Sequence, residues 1–257
     1  MFSKKDWSVA EENTLLKLKD KGISYLEIAE IMQRTPDSLR KKYWLLKHEK
    51  NTEFEKTARV LIFDIETSLS IFTAFSTGVQ YLGDRNILQD YYVISWSAKW
   101  LGEDEVYSDV ITPKESKKAD DKRVLRGLWK LLDEADIVIG HNSDKFDLKK
   151  VNTRFILNGM DLPRPYKSID TLKLARKMFS FSSNKLDYLC KMFGLEGKTE
   201  HSGYQLWLDC LKGDKKALAE IVEYNRNDVV ILENLYNVLK QGITKPIKLP
   251  RYGSKAE

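Results

Sequence analysis

Two carboxylates with the spacing of a strand, Asp64 and Glu66, follow the short apolar run Val60–Phe63. In a strand, residues i and i+2 project to the same face, so both acids would point together while Ile65 faces the opposite side. Two neighbouring carboxylates on a buried face repel each other and lose solvation, and a bound cation is one of the few compensations. The alternative is a strand that ends at Phe63 and leaves both acids in solvent. The spacing alone does not decide between the two.

The third candidate acid, Asp147, follows a polar turn. The segment Asp136–Gly140 predicts a buried strand, and a polar turn leads from it into a helix with Asp147 in its first turn. Ligand sites in α/β sheets lie at the carboxyl ends of strands, which favours a functional role. In the alternative, Asp147 only stabilises the positive end of the helix dipole, and Asn142 or Ser143 is the N-cap of the helix.

The fourth candidate acid, Asp228, lies within a helix predicted over residues 215–240. Residues i and i+4 are neighbours on a helix, so Tyr224 and Asp228 share a face. Two apolar stripes fit this helix. Asp228 would interrupt the first, where an unpaired carboxylate is costly, and would lie at the edge of the second. The first consists of Ala217, Ile221, Ile231 and Leu235, and the second of Val222, Val229 and Leu232.

The elements that must hold these acids alternate between strand and helix from about Arg59 onward. Strands are predicted at Val60–Phe63, Tyr92–Ala98, Val106–Ile111 and Asp136–Gly140, and helices at about 120–134, 145–158, 171–179, 186–193 and 215–240. Strands first, then strands alternating with helices, predict a three-layer α/β fold with a mixed central sheet. The segment Ser68–Asp90 has little regularity, and loops of that length near a site are often functional.

The amino-terminal residues 6–48 have an all-helical pattern instead. Ser8 with Glu11 forms a capping-box pattern, Ser24 begins a second helix, and Thr35-Pro36 predicts the cap and first residue of a third, which runs from about Asp37 to Leu46. The predicted organisation is a small trihelical domain at 1–50, a polar linker at 51–58, the α/β domain at 59–242, and a basic tail at 243–257.

Composition narrows the class of protein. The chain has 257 residues, of which 42% are hydrophobic and 32% charged, so it contains enough apolar material for a core. No apolar run is long enough to span a bilayer, and the first residues lack the apolar core of a secretory signal. Cys190 and Cys210 have no spacing typical of zinc sites or disulfides, so we expect a reducing, cytoplasmic setting. The net charge of +5 is compatible with a polyanionic partner but does not establish one.

Three short motifs, taken in order, resemble those of the DEDD exonucleases. These are 3′-to-5′ exonucleases of the ribonuclease H-like fold, and they include polymerase proofreading domains. The motifs are Asp64-Ile65-Glu66-Thr67, Asn142-x-x-x-Phe146-Asp147 and Tyr224-x-x-x-Asp228. The resemblance covers about residues 59–239, and the whole chain is similar to small stand-alone members that are common in bacteriophage genomes.

The positions of the histidines indicate which branch of that family the chain resembles. His48, His141 and His201 are the only histidines, and none lies within a helical turn of Asp228. The family has two branches, which use a histidine or a tyrosine near the third motif, and the chain therefore resembles the tyrosine branch. His141 and His201 are interpreted as structural or near-substrate residues rather than catalytic ones.

The resemblance implies a two-metal-ion site. Two divalent cations can activate water, neutralise the phosphate and stabilise the leaving oxygen, and ligand sets made only of oxygen favour Mg²⁺ or Mn²⁺. By resemblance, Asp64 bridges both ions, Glu66 and Asp228 complete the ion on the side of the nucleophile, and Asp147 holds the other, largely through water. Tyr224 would orient the attacking water, because a phenol is a poor base at neutral pH.

The resemblance also implies contacts to the substrate. Asn142 and Phe146 would lie near the terminal nucleotide, with a core position as the alternative for Phe146. The amino-terminal unit resembles a Myb/SANT-like helix-turn-helix module. Its third helix would bring basic side chains to DNA phosphates or a groove. These are Arg40, Lys41, Lys42 and Lys47. In the alternative interpretation they form a solvated helix face that balances nearby glutamates.

The sequence therefore predicts a metal-dependent 3′-5′ exonuclease that acts on single-stranded or frayed DNA and is tethered by a DNA-binding module. One alternative is an exoribonuclease, because the metal chemistry does not select the sugar. A non-catalytic DNA-binding regulator is the other, and the presence of all four acids and the tyrosine counts against it.

Overall fold

A computed structural model describes residues 7–51, 58–79, 81–197, 202–243 and 247. The chain divides into two compact units, one comprising Met1–Thr57 with Ile243–Lys248 and the other Ala58–Gly242 with Leu249–Glu257. Most of the predicted linker and of the basic tail falls outside the described residues, as does His201. Within the described part, no helix has the length and apolar character that a bilayer crossing requires.

The first unit contains three helices, α1 (Val9–Asp20), α2 (Tyr25–Met32) and α3 (Pro36–Asn51). Ser8 and Ser24 form capping boxes with Glu11 and Glu27, and the hydroxyl of Thr35 accepts a hydrogen bond from the backbone N–H of Ser38 at 3.3 Å. The predicted caps are therefore confirmed. Helix α3 continues five residues beyond the predicted end at Leu46. The buried core of the unit consists of Leu15, Leu16, Ile28, Leu39 and Leu46.

The second unit is built on a five-stranded sheet in the order β5-β4-β1-β6-β7. Strand β1 pairs antiparallel with β4 and parallel with β6, so the sheet is mixed, as the sequence predicts. A separate two-stranded ribbon is formed by β2 and β3. The strands are β1 (Val60–Thr67), β2 (Ile71–Phe72), β3 (Ile87–Gln89), β4 (Val93–Trp100), β5 (Tyr107–Val110), β6 (Ile137–Gly140) and β7 (Lys167–Asp170).

Helices cover both faces of this sheet. They are α4 (Pro113–Lys118), α5 (Lys122–Glu134), α6 (Asp147–Leu157), α7 (Thr171–Met178), α8 (Leu186–Met192), α9 (Tyr204–Lys212) and α10 (Lys215–Leu239). The indole N–H of Trp96 donates to the carbonyl of Val124 in α5 at 2.7 Å, whereas Lys99 forms an ion pair with Glu233 in α10. Because Trp96 and Lys99 differ by an odd number of positions in β4, they face opposite sides. The predicted three-layer α/β architecture is confirmed.

Close packing explains one feature of the α5 layer. A Cβ atom on Gly127 would lie 2.6 Å from the Trp96 ring, so glycine is what allows α5 to approach the sheet this closely. The short elements β7, α4 and α9 were not predicted. Strand β7 and helix α4 have few apolar positions, whereas α9 has many. A four-residue strand such as β7 depends on pairing with β6 rather than on its own pattern.

Candidate metal centre and active-site cleft

The acids of β1 lie inside the strand and not beyond its end. Strand β1 continues to Thr67, and Asp64 and Glu66 pair with Ser97 and Ser95 of β4. The alternative in which the strand ends at Phe63 is therefore wrong. Both acids are half-buried and project from the same face.

Helix α10 brings the third acid to that face. Asp228 is only 2% exposed. The helix is buried on more than one side, because the first apolar stripe is buried and so are Val229 and Leu232 of the second. One carboxylate oxygen from each of Asp64, Glu66 and Asp228 lies within 4.8 Å of the others. The structure thus brings together three of the four predicted acids.

This cluster fits a divalent cation by the chemistry of its donors. Three carboxylates at such a separation repel one another, and their partial burial strengthens the repulsion. The donor set consists only of carboxylate oxygens, the hard ligands that suit Mg²⁺ or Mn²⁺. The cluster could therefore hold a divalent cation.

Asp147 lies beside this cluster but is not one of its three members. It is the first residue of α6, is 3% exposed, and accepts a hydrogen bond through Oδ1 from the backbone N–H of Ile65 at 3.3 Å. Burial raises the pKa of the Asp147 carboxyl well above its usual value, and the nearby charge of Asp170 adds to this rise. The Asp147 carboxyl is thus bonded to the backbone of the residue that separates the two acids of β1.

A residue that the sequence analysis did not single out, Asn225, supports Asp64. Its side chain is fully buried, and Nδ2 donates a hydrogen bond to Oδ2 of Asp64 at 2.6 Å. Asn225 precedes Asp228 by one helical turn, so both project toward the same part of β1. The sequence shows Asn225 next to Tyr224 in the predicted helix, but it does not indicate the partner of its amide, which lies 161 positions away.

The turn between β6 and α6 shapes the other side of the cleft. Asn142 has a positive φ of 64°, and its backbone N–H donates to Oδ1 of Asp170 at 3.0 Å. A Cβ atom on Gly140 would lie 2.4 Å from the Cβ of Ser143, so this position requires glycine. The N-cap of α6 is Phe146, and its side chain makes no capping bond. The alternative with Asn142 or Ser143 as the N-cap is wrong.

A cavity of about 540 Å³ lies against these residues and is lined by Asp64, Asp228, His141 and Asn142 among others. Arg176 and Lys185 add positive charge to its wall. Its size is within the range of small-ligand pockets. The structure therefore places two of the acids in a cleft that also contains cationic side chains.

His141 lines this cavity and links two neighbouring segments. Its ring nitrogens contact the hydroxyl of Thr171 and the carbonyl oxygen of Asn184, each at 2.9 Å. These bonds join the end of β6 to the segment that leads into α8. The structural or near-substrate role of His141 stays a prediction.

The remaining predicted site residues occupy different surroundings. Tyr224 is 8% exposed and lies one helical turn before Asp228, but it borders a second cavity of about 440 Å³ with Val106 and Arg226. Phe146 is 39% exposed, so it is not a core residue, and Nζ of Lys150 lies 4.7 Å from the centre of its ring.

The basic residues of α3 differ in their availability. Arg40 is exposed and forms an ion pair with Asp37 at 3.1 Å. Lys42 is largely covered and forms an ion pair with Glu12 at 2.6 Å. The side chains of Lys41 and Lys47 lie outside the described residues. DNA contact by these four residues stays a prediction.

The mixed sheet and the carboxylate cluster between its central strand and α10 define an α/β fold with a candidate metal centre. A family model described as the RNase_H superfamily matches residues 61–240. The chain belongs to this superfamily. Its membership and the acidic cluster together support a nuclease activity in general and a nucleic-acid substrate.

Two similar proteins are polymerases. A protein named DNA polymerase III PolC-type, from Ureaplasma parvum serovar 3, is 27% identical over 110 residues, which cover 43% of this chain and 7% of that protein. The structure of the family B DNA polymerase from the hyperthermophilic archaeon Pyrobaculum calidifontis matches with a TM-score of 0.51 and 17% identity, over 73% of this chain and 27% of the polymerase. At that identity the second likeness shows the fold alone. The chain corresponds to less than a third of the length of either protein.

Proposed function

We propose that this protein is a metal-dependent 3′-5′ exonuclease that hydrolyses the phosphodiester bonds of DNA at single-stranded or frayed ends. The observation that carries the proposal is the cluster of Asp64, Glu66 and Asp228, with the buried Asp147 held beside it. The similarity to the DNA polymerase III PolC-type protein supports DNA rather than RNA as the substrate, because that name specifies a DNA polymerase.

The residues of the candidate centre would have different roles. Two divalent cations of the Mg²⁺ or Mn²⁺ type, when bound, would activate water and neutralise charge on the phosphate. Asp64, Glu66 and Asp228 would hold them through carboxylate oxygens, and Asp147 would be a further ligand. Asn225 would fix the orientation of Asp64 through its 2.6 Å hydrogen bond.

The cleft would position the end of the strand. Asn142 and the half-exposed Phe146 flank the turn that leads to Asp147, so they would contact the terminal nucleotide. Arg176 and Lys185 would attract its phosphates from the wall of the cavity. Tyr224 would orient the attacking water from the helical turn before Asp228.

Cleavage of end-labelled strands tests the proposal. Single-stranded DNA and RNA carrying a 5′ label are incubated with the protein and Mg²⁺ or Mn²⁺, and the products are resolved by length. We expect the DNA to shorten from its 3′ end one nucleotide at a time and to stay intact in EDTA. Faster loss of RNA would favour the exoribonuclease. Binding without cleavage under every metal condition would favour the non-catalytic regulator.

Asp228→Asn should stabilise the metal-free protein and abolish its stabilisation by metal. Without metal, the substitution removes one of three mutually repelling charges, so we expect it to stabilise the protein by about 1 kcal/mol. Saturating Mn²⁺ at about 100 times its Kd should stabilise the wild type by about 2.7 kcal/mol but should hardly affect Asp228→Asn. Thermal unfolding with Mn²⁺ and with EDTA measures both effects. Equal Mn²⁺-induced stabilisation of the two proteins would contradict a metal site at Asp228.

Tyr224→Phe should slow the chemical step by about tenfold or more with little change in substrate affinity. The substitution removes only a hydroxyl, and an interaction felt mainly in the transition state lowers kcat rather than raising KM. Single-turnover kinetics on a labelled strand measure the step directly. Tyr204→Phe is the control, because Tyr204 is an exposed tyrosine of α9. An unchanged rate in Tyr224→Phe would assign Tyr224 to packing.

Neutralising Arg40, Lys41 and Lys47 together, each to Gln, should weaken binding to long DNA without changing the hydrolysis of very short strands. Each lost phosphate contact should reduce the slope of log K against log salt by roughly 0.7–0.9. Lys42 is left in place because Glu12 already pairs with it. Binding is measured by anisotropy over a salt series.

The matched control for this variant neutralises Lys17 and Lys21, which are exposed lysines of the same unit outside α3. We expect this control to retain the salt slope of the wild type. Equal affinity and equal slope in all three proteins would rule out a DNA-tethering role for α3, and the amino-terminal unit would then be better explained as a protein-binding module.

A further inference from the structure

A ribbon-shaped arm, residues 68–90, leaves the sheet directly beside the acid cluster. Strand β1 carries Glu66 and ends at Thr67, and the arm begins with the next residue. Both ends of the arm are tied together, because the backbone N–H of Ser68 donates to the carbonyl of Tyr92 at 2.8 Å and the N–H of Tyr92 donates to the hydroxyl of Ser68 at 3.0 Å. The base of the arm is therefore fixed at the site.

The arm has an ordered turn of its own. Strands β2 and β3 pair antiparallel, and the backbone N–H of Thr73 donates to the carbonyl of Asn86 at 2.8 Å. The side chain of Asn86 donates to the carbonyl of Thr73 and accepts from the N–H of Gly83, both at 3.0 Å. These bonds join residues 71–73 of the arm to residues 83–89.

Large apolar side chains of this arm point into solvent. Phe75 and Tyr81 are fully exposed, and Val79 is 92% exposed. A two-stranded ribbon cannot bury its own faces, and an exposed apolar patch of this kind marks a binding surface. The exposed large apolar residues of the arm are Ile71, Phe72, Phe75, Val79, Tyr81, Leu82, Ile87 and Leu88.

The composition of the arm identifies the partner that fits it. Its only charged residues are Asp84, Arg85 and Asp90, so it has no excess of positive charge with which to attract phosphates. Exposed aromatic rings bind nucleic-acid bases instead, because every base presents a flat face for stacking. The arm therefore suits the bases of an unpaired strand and leaves the phosphates to other surfaces.

A row of contacts connects the arm to the cleft. Nζ of Lys150 lies 3.5 Å from the ring centre of Tyr91, the residue that follows the arm, and 4.7 Å from the ring centre of Phe146, which precedes Asp147. The Lys150 ammonium thus lies near two aromatic rings, that of Phe146 next to Asp147 and that of Tyr91 at the base of the arm. Lys150 therefore links the residue that follows the arm to the residue that precedes Asp147.

We propose that the arm is a base-stacking site for the unpaired strand whose 3′ end lies in the acid cluster, with Phe75 and Tyr81 as the stacking residues. The proposal rests on the exonuclease function proposed above. Phe75 is nine residues beyond Glu66, so it lies at most about 30 Å from it. Even at the roughly 3.4 Å per nucleotide of a stacked strand, about 20 nucleotides span more than this limit. We expect a trinucleotide to be held by the cleft alone, whereas a strand of about 20 nucleotides would also reach the arm.

The test is the double variant Phe75→Ala/Tyr81→Ala on strands of two lengths. Stacking on an aromatic ring strengthens binding by roughly tenfold per base, so the variant should bind oligothymidylate of about 20 nucleotides at least tenfold more weakly. Hydrolysis of a trinucleotide should be unchanged. Because both side chains are fully exposed, the substitutions should leave thermal unfolding unaltered. Anisotropy in EDTA measures binding without cleavage.

Two further variants make the result specific. Phe75→Trp should retain affinity for the long strand, and its fluorescence should be quenched on binding. Ile156→Ala/Leu157→Ala is the matched control, since it removes two exposed apolar side chains at the far end of α6 and should bind like the wild type.

The outcomes separate the arm from the exonuclease proposal. If the wild type cleaves DNA and the arm variant binds long strands equally well, the arm proposal is overturned and the exonuclease proposal stands. If no cleavage occurs but long-strand binding depends on the arm, the stacking site is supported and the exonuclease proposal fails. If the arm variant only abolishes self-association seen by light scattering, the arm is an interface between copies of this chain and the stacking proposal is wrong.

Discussion

Asp64→Ala should lower the rate of DNA cleavage at least about a thousandfold, which corresponds to about 4 kcal/mol of transition-state stabilisation. Asp64 is the acid that links the parts of the site, because it belongs to the carboxylate cluster, lines the cavity and accepts the amide of Asn225. Without Asp64, the cations would no longer be held in the positions that the reaction requires. Initial rates on a labelled strand, at saturating Mg²⁺ and at saturating Mn²⁺, measure the effect.

The control for this variant is Asp104→Ala, which removes an exposed acid of the same unit and should retain the wild-type rate. Thermal unfolding in EDTA establishes that Asp64→Ala is folded. We expect it to stay folded without metal, because the relief of repulsion within the cluster offsets the loss of the acceptor for the buried Asn225 amide. Turnover within tenfold of the wild type would contradict the assignment of Asp64.

The acids of the centre could be predicted because each had a local signal. The alternation of Asp64 and Glu66 places both on one face of any strand that contains them, and four-residue spacing places Tyr224 and Asp228 on one face of a helix. The pattern could not show that β1 extends past Phe63, since pairing with β4 provides that extension. The polar end of β1 is stabilised by its neighbour and not by its own propensity.

The parts of the site that could not be predicted depend on distant residues. The bond from Asn225 to Asp64 and that from the Ile65 N–H to Asp147 each join positions that are far apart in the chain. The ribbon in the arm was equally hidden, because β2 contains only two residues and its apolar side chains face solvent on both sides. A periodic pattern of apolar residues arises where one face of an element is buried. An element without a buried face therefore has no such pattern in its sequence.

The amino-terminal unit shows the same division between local and distant causes. The capping boxes of Ser8 and Ser24 were readable because cap and partner are three residues apart. The ion pair of Lys42 with Glu12 joins α3 to α1 and was not readable, although it changes how Lys42 is interpreted. A count of basic residues on one helix therefore overstates the charge available to a nucleic acid.

Lys99→Met should destabilise the protein by about 3–5 kcal/mol, because it leaves a buried carboxylate without its cation. Lys99 and Glu233 are 7% and 8% exposed, and their ion pair joins the sheet to α10. For a unit of this size, the loss should lower the melting temperature by roughly 6–20 °C. Thermal and urea unfolding in EDTA measure the effect without a contribution from bound metal.

The double variant Lys99→Met/Glu233→Gln should recover most of that loss. Glu233 also accepts the backbone N–H of Gly102 at 2.8 Å, and the amide oxygen of glutamine can still accept this bond while no charge stays buried. Lys212→Met is the control, because it breaks the exposed pair with Asp209 and should cost no more than about 1 kcal/mol. If Lys99→Met were no more destabilising than Lys212→Met, or if the double variant were as unstable as the single one, the cost would not come from an uncompensated charge. The ion pair would then not be what joins β4 to the helix that carries Asp228.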